Sequence, residues 1–164
     1  ARPPRAPPPS SKEFSKAVRL VPVVLVSAVA ALAAGSALAI EYRSVDSATT
    51  LYDAPSVKGK PLFVIKRFTP VEPVVSLEGW TKVRDADGGL AWIEKKHLSE
   101  QRTVLVTASL AQVRREANDD APLAFEAQKG VALEFVEPAV AGWAKVRHRD
   151  GMSGYVRASQ VWGL

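Results

Sequence analysis

The chain of 164 residues contains no cysteine. That excludes disulfide staples, thiolate metal sites, cysteine nucleophiles and lipid attachment through a thiol. Histidine occurs only at His97 and His148, at different places in a duplicated sequence pattern, so no zinc-binding cluster is expected. Each histidine is read as an exposed loop or turn residue. No glycine-rich phosphate loop, nucleophile elbow or dinucleotide fingerprint is present. These absences leave no active site, no metal and no cofactor, and the expectation is a protein that is not an enzyme.

An excess of charge is also missing from most of the chain. The overall balance of +5 suggests a polyanion partner, but residues 1–39 hold Arg2, Arg5, Lys12, Lys16 and Arg19 against Glu13. Residues 40–164 keep 17 basic and 16 acidic residues, a net of +1. Nucleic-acid binding needs a concentrated cationic face, so no nucleic-acid partner is expected.

Charge disappears altogether between Leu20 and Ile40. The apolar stretch from Leu20 to Ala34 comes after a basic flank and leads to Gly35-Ser36-Ala37-Leu38-Ala39. A basic flank, an apolar segment and a small-x-small end are the parts of a secretory signal peptide. Ala37 and Ala39 supply the small side chains of the cleavage site, and the mature chain is expected to begin at Ile40. The alternative is an uncleaved hydrophobic helix that anchors the protein in the inner membrane. In both cases the remainder lies in the periplasm or another extracytoplasmic space, and the leader is its only membrane contact. Residues 1–11, with Pro4-Arg5-Ala6-Pro7, are expected to be a disordered proline-rich extension.

What the chain does have is a duplication. Gly79-Trp80-Thr81-Lys82-Val83-Arg84 returns 63 residues later as Gly142-Trp143-Ala144-Lys145-Val146-Arg147. The same offset carries Asp87-Gly88 onto Asp150-Gly151 and Ala91-Trp92-Ile93 onto Gly154-Tyr155-Val156. Such self-similarity marks a tandem repeat. It divides the chain into a leader (1–39), a first unit (40–100) and a second unit (101–164). Units this small bury only about 60% of their unfolded surface, so packing of one on the other is a source of added stability. The link Ser99-Glu100-Gln101-Arg102 lacks glycine and proline, which predicts a fixed pair in contact.

Each unit predicts short strands and no sustained helix outside the leader. Glu41–Ser47 and Arg102–Ala108 are extended, and Pro61–Ile65 and Pro122–Phe125 form another strand. Val71-Glu72-Pro73 and Val136-Glu137-Pro138 end the next one, each proline demoting the residues after it to loop or edge. Trp80–Asp85 and Leu90–Ile93 flank Asp87-Gly88, a hairpin signal repeated around Asp150-Gly151. A 3-10 turn is expected at Lys95–Leu98 and at Arg157–Val161. Five or six short strands in each unit give an all-β chain of two small, strongly bent barrels.

Alternation puts Val83 and Val146 in the core, and Trp80 and Trp143 on the opposite, partly exposed side. Glu72 and Glu137 recur before proline at equivalent places, one in each unit. That arrangement suits solvated loops better than a carboxylate pair for glycoside cleavage.

The pattern Gly79-Trp80…Lys82-Val83…Ala91-Trp92-Ile93, met again at Gly142-Trp143…Lys145-Val146…Gly154-Tyr155-Val156, resembles the bacterial SH3-like domain family. The resemblance covers nearly all of the exported portion. It implies tandem SH3-like β-barrels in a secreted protein that binds cell-wall material or protein partners. Thr50-Leu51-Tyr52-Asp53-Ala54 looks like the aromatic-rich ligand strand of the wider SH3 fold. The proline and tyrosine that line the peptide groove of that wider fold are replaced by Arg157 and Gln160, and by Glu94 and His97. Their absence argues against polyproline recognition.

The candidate binding residues are therefore surface aromatics and their charged neighbours. In the first unit these are Tyr52, Trp80 and Trp92 with Lys82 and Arg84; in the second, Trp143 and Tyr155, with Arg114 in the place of Tyr52. Aromatic faces bind sugar rings or peptide side chains, and cations pair with carboxylates of a wall peptide. For Trp92 and Tyr155 a core position is the favoured reading, with ligand contact as the alternative. The first unit carries the more aromatic face and is the favoured ligand-bearing one. The expected function is non-catalytic binding of peptidoglycan or an envelope protein; the rival is a membrane-anchored scaffold. Oligomeric state stays open.

Overall fold

A computed structural model describes residues 40–138 and 142–164. The expectations for the leader, including its cleavage site and hydrophobic helix, fall outside the described residues apart from Ile40. Among those residues the chain is all-β. It forms β1 (Arg43–Val45), β2 (Thr49–Tyr52), β3 (Pro61–Ile65), β4 (Pro70–Leu77), β5 (Trp80–Arg84), β6 (Leu90–Glu94) and β7 (Leu98–Ser99). The second half forms β8 (Thr103–Val106), β9 (Leu110–Arg114), β10 (Leu123–Gln128), β11 (Ala132–Pro138), β12 (Trp143–Arg147), β13 (Ser153–Arg157) and β14 (Val161–Trp162). The described helical pieces are the 3-10 turns Lys95–His97 and Ala158–Gln160, inside the two segments where the sequence predicts them.

The first seven strands form one sheet in the order β3-β2-β6-β5-β4-β1-β7, and the last seven repeat it as β10-β9-β13-β12-β11-β8-β14. Each sheet curls round its own core. In the first, Val45, Leu51, Ile65, Val71, Val83, Ala91 and Ile93 come from β1 to β6 and meet in one cluster. In the second, Val106, Val113, Leu133, Val146, Val156 and Val161 do the same. Fully burying a valine, leucine or isoleucine side chain stabilises by about 1.5–3 kcal/mol, in addition to the hydrogen-bonded pairing of the strands. Seven strands are present in each sheet, more than the five or six expected, because a two-residue strand after each 3-10 turn closes onto the first strand.

The hairpins form as the sequence chemistry dictates. Gly88 and Gly151 have φ of 87° and 95°, the left-handed conformation that reverses the chain. Asp85 Oδ1 accepts the amides of Asp87 and Gly89 at 3.0 and 2.7 Å, fixing the first turn. Asp150 Oδ1 accepts the amide of Met152 at 2.9 Å in the second. That hydrogen bond and His148 hold the Asp150 carboxyl below its ordinary value of 3.8.

Two strand expectations are corrected. Pro73 does not end its strand: β4 continues to Leu77, with a register shift between Pro73 and Val75 that accommodates the proline. Glu72 and Glu137 are not equivalent. Glu72 lies across from Arg84 and Glu134 from Arg147, whereas Glu137 lies across from Lys145, the counterpart of Lys82. The shared Glu-Pro wording conceals a different register in the second unit.

The two barrels touch. The Thr103 hydroxyl donates to Phe68 O at 2.7 Å, and the Ser44 hydroxyl donates to Gln101 O at 2.6 Å. Tyr42 meets the Trp162 ring edge-on with centroids 5.0 Å apart. The Arg102 guanidinium lies 6.0 Å from the Tyr42 ring centroid across this contact, and within the second barrel it donates to Gly163 O at 3.0 Å and lies 4.6 Å from the Phe135 ring centroid. Burial, and after it the nearby Glu72 carboxylate, pushes the Tyr42 hydroxyl above its ordinary pKa.

Candidate binding face and its closed counterpart

Strand register sets up the site. In the first barrel Pro61, Tyr52, Trp92, Lys82 and Val75 form one row across β3, β2, β6, β5 and β4. Their neighbours along the strands, Leu51, Ala91, Ile93, Thr81 and Val83, are buried. The row therefore lies on the outer face of the sheet. Trp92 and Tyr155 are thus outer-face residues, partly buried, and not members of either core.

Trp80 belongs to the same face. Its ring meets Tyr52 edge-on at 5.7 Å between centroids, a favourable arrangement of aromatic quadrupoles. Lys82 Nζ lies 5.9 Å from the Trp92 ring centroid and has no acidic partner among the described residues. Arg84, by contrast, is committed: its guanidinium donates to both carboxylate oxygens of Glu72 at 3.0 and 2.8 Å. The first barrel thus brings together Tyr52, Trp80, Trp92 and Lys82, and turns Arg84 to structural use. Val75 and Leu77, 44% and 45% exposed, extend the apolar face beside Lys82 and Trp80. Reading Pro73 as a strand end hides both residues, and plain alternation from Val71 would place them on the core side, because the bulge between Pro73 and Val75 reverses the phase of the strand.

The corresponding row of the second barrel is Leu123, Arg114, Tyr155, Lys145 and Glu137. Its charges are satisfied internally. Lys145 donates to Glu137 at 3.0 Å, which raises the lysine pKa, and sits 6.0 Å from the Tyr155 ring centroid. Arg114 donates to Ala121 O and to Gln112. The Arg157 guanidinium lies 4.5 Å from the Trp143 ring centroid and is held there by Asp119. Trp143 is consequently only 6% exposed, which corrects the expectation of a partly exposed side chain. Arg157 and Asp119 were not legible as partners, because 38 residues separate them.

The difference between the barrels is chemical. The position of Arg157 is taken by Glu94 in the first barrel, and Glu94 pairs with Lys96 at 3.0 Å. Among the described residues no arginine covers Trp80, and Val75 stands where the second barrel has the acid that neutralises Lys145. One face is sealed by its own ion pairs; the other presents aromatic rings, apolar side chains and an unpaired ammonium. Glu72 and Glu137 are each paired with a base, and among the described residues no group of three or more potential ligands could hold a metal.

The twice-used small barrel defines an SH3-like architecture, and the sequence pattern of the bacterial SH3 domain matches residues 45–100 and again 107–163. The chain belongs to the bacterial SH3 domain family. No curated protein matches it. Among solved structures it is similar to NlpC2 from Trichomonas vaginalis, with 16% identity, a TM-score of 0.34 and coverage of 74% of this chain and 46% of that one. NlpC1 from the same organism gives 15%, 0.34, 73% and 44%. An NlpC/P60 family protein from Bacillus cereus ATCC 10987 gives 15%, 0.35, 74% and 55%. The chain therefore spans about half the length of the solved structures it matches.

Proposed function

We propose that the tandem is a non-catalytic cell-envelope binding module whose ligand lies on the outer face of the first barrel. The observation that carries this reading is the contrast between two faces of one topology. Trp143 is covered by Arg157, whereas Trp80, Trp92 and Tyr52 present their rings beside an unpaired Lys82. Aromatic rings gain from large apolar contact with a sugar ring or a peptide side chain. Lys82 adds a charge-assisted hydrogen bond to a carboxylate. Peptidoglycan, with sugars and acidic peptides side by side, meets both requirements, and an envelope protein with an acidic apolar segment meets them too. Export by the leader would deliver the module to the compartment that holds either.

Co-sedimentation with insoluble wall sacculi tests the reading. The protein is expected to pellet with sacculi, and Trp92→Ala is expected to weaken the association at least tenfold. Failure of the wild type to pellet, together with failure to retain any envelope protein, overturns it. Sequencing the N-terminus of the protein recovered from cells tests export: a start at Ile40 is expected, and an intact leader on soluble intracellular protein contradicts it.

A further inference from the structure

The near-neutral balance of residues 40–164 conceals a local gathering of positive charge. The turn between β3 and β4 carries Lys66 and Arg67 toward the second barrel, where the β12–β13 hairpin supplies His148 and Arg149. Together with Phe68 and Val131 they line a groove of about 310 Å³ between the two barrels. Among the described residues no carboxylate lines it; Glu134, in the adjoining recess that Arg149 also lines, is paired with Arg147. Among the described residues, Lys66, Arg67 and Arg149 make no ion pair, although most other arginines of the tandem do. Asp150, the next residue of the hairpin, is already engaged by Met152 N–H and His148.

Phe68 gives a second, independent indication. Among the described residues it is the sole non-glycine with positive φ, at 66°. A bulky side chain occupies that region only at a cost in free energy, and such conformations cluster where a site over-determines the backbone. Here both ends of the residue are held: Phe68 N–H donates to Val45 O at 2.7 Å, and Phe68 O accepts the Thr103 hydroxyl at 2.7 Å. The Arg67 guanidinium lies 4.4 Å from the Phe68 ring centroid. The strained turn, the aromatic ring and the contact with the second barrel together fix where Arg67 stands.

We propose that this inter-barrel groove binds a phosphate-bearing ligand through Arg67 and Arg149, with Lys66 and His148 beside them. Three unpaired cations in one recess repel one another, and a compact group carrying more than one negative charge offsets that repulsion. Arginine forks bind the oxygens of phosphate in a two-point arrangement, and a phosphomonoester or pyrophosphate brings more negative charge than the single charge of a carboxylate. Because its walls come from both barrels, the site exists only in the tandem, which gives the duplication a chemical use that neither barrel has alone. It is separate in composition from the aromatic face, sharing no residue with it.

Titration calorimetry of the full chain with inorganic pyrophosphate and with glycerol phosphate tests the proposal. One-to-one binding is expected, weakened at least tenfold in Arg67→Gln and in Arg149→Gln and unchanged in Lys58→Gln, which removes a cation outside the groove. Equal urea midpoints verify that the variants fold. The source of the phosphate is resolved with the compact Ala39–Leu164 body and vesicles. Binding to phosphatidic acid but not phosphatidylcholine vesicles, lost in Arg149→Gln, supports the groove with a phosphomonoester lipid headgroup as its ligand. Binding of the soluble phosphates without vesicle binding supports it with a soluble or polymer-borne phosphate. No binding of either kind, or the same loss in Lys58→Gln as in the arginine variants, overturns it.

Discussion

Replacing Gly154 with alanine tests the packing of the second barrel, because the repeat supplies its own control. A methyl group at Gly154 would stand 2.5 Å from Arg114 O, 2.8 Å from Val113 Cγ1 and 3.3 Å from Ala124 Cβ. The nearest of these is a backbone oxygen, so relief requires β9 and β13 to move apart at the point where Tyr155 pairs with Arg114. Overpacking of this kind costs about 1–3 kcal/mol. Alanine regains about 0.5–1 kcal/mol over glycine by restricting the unfolded strand. Contact at 2.5 Å with a backbone oxygen puts the overpacking cost in the upper part of its range, about 2–3 kcal/mol, so the expected net loss is about 1–2.5 kcal/mol. In the first barrel the same position is Ala91, across from Val83 as Gly154 is across from Val146. Ala91→Gly is expected to lose about 0.5–1 kcal/mol by the entropy effect and about 0.8 kcal/mol more for the methyl it removes from the first core. Urea denaturation monitored by tryptophan fluorescence measures both. A Gly154→Ala protein as stable as the wild type would refute the packing argument.

Thr103→Val removes the hydroxyl that supports the Phe68 carbonyl across the barrel contact. It should cost about 1–3 kcal/mol for the stranded acceptor and broaden the separation of the barrels in small-angle scattering; an unchanged scattering curve and midpoint would contradict the role of this contact. Arg157→Ala uncovers Trp143. The cation–ring contact at this partly exposed site should cost about 0.5–1 kcal/mol, and tryptophan emission should shift to the red; emission identical to the wild type would mean that Arg157 is not the cover. Asp150, with its pKa lowered by the Met152 amide and His148, stabilises the fold above the unfolded value of 3.8 and loses that contribution as pH falls through the folded value. Asp150→Asn should therefore flatten the acid limb of the stability curve, measured by thermal melts in acid; an acid limb indistinguishable from the wild type would remove Asp150 from the account.

The fold was legible where the sequence carries local chemistry. Asp87-Gly88 and Asp150-Gly151 mark turns whose geometry depends on adjacent residues, and the alternation of Thr81, Lys82 and Val83 assigns faces without any partner strand. What depended on register was not legible. Pro73 looked like a terminator because the bulge that tolerates it is a property of two paired strands. Glu72 and Glu137 looked alike because the spacing of the second unit drifts before its hairpin, and only the pairing with Arg84 or Lys145 separates them.

The candidate face shows the same division. Tyr52, Trp80, Trp92 and Lys82 were singled out by residue type and offset, and the sheet sets them on one side. The sealing of Trp143 rests on Asp119, a loop residue whose position no local pattern encodes. Net charge hid the inter-barrel groove for a related reason. A sum over residues 40–164 records that charges nearly balance, whereas the distribution depends on which acids find bases. Lys66, Arg67 and Arg149 gather on one groove without an ion pair among the described residues, while Glu72, Glu134 and Asp119 are paired with Arg84, Arg147 and Arg157.

Amide and side-chain NMR of the Ala39–Leu164 body, titrated with soluble peptidoglycan fragments, tests most directly whether the first barrel carries the ligand. Saturable shifts at the Trp80 and Trp92 indoles, Tyr52 and Lys82 are predicted, with Trp143 and Tyr155 unmoved. Shifts centred on the second barrel's face, or none anywhere while an envelope extract also leaves the first face unchanged, would contradict the account.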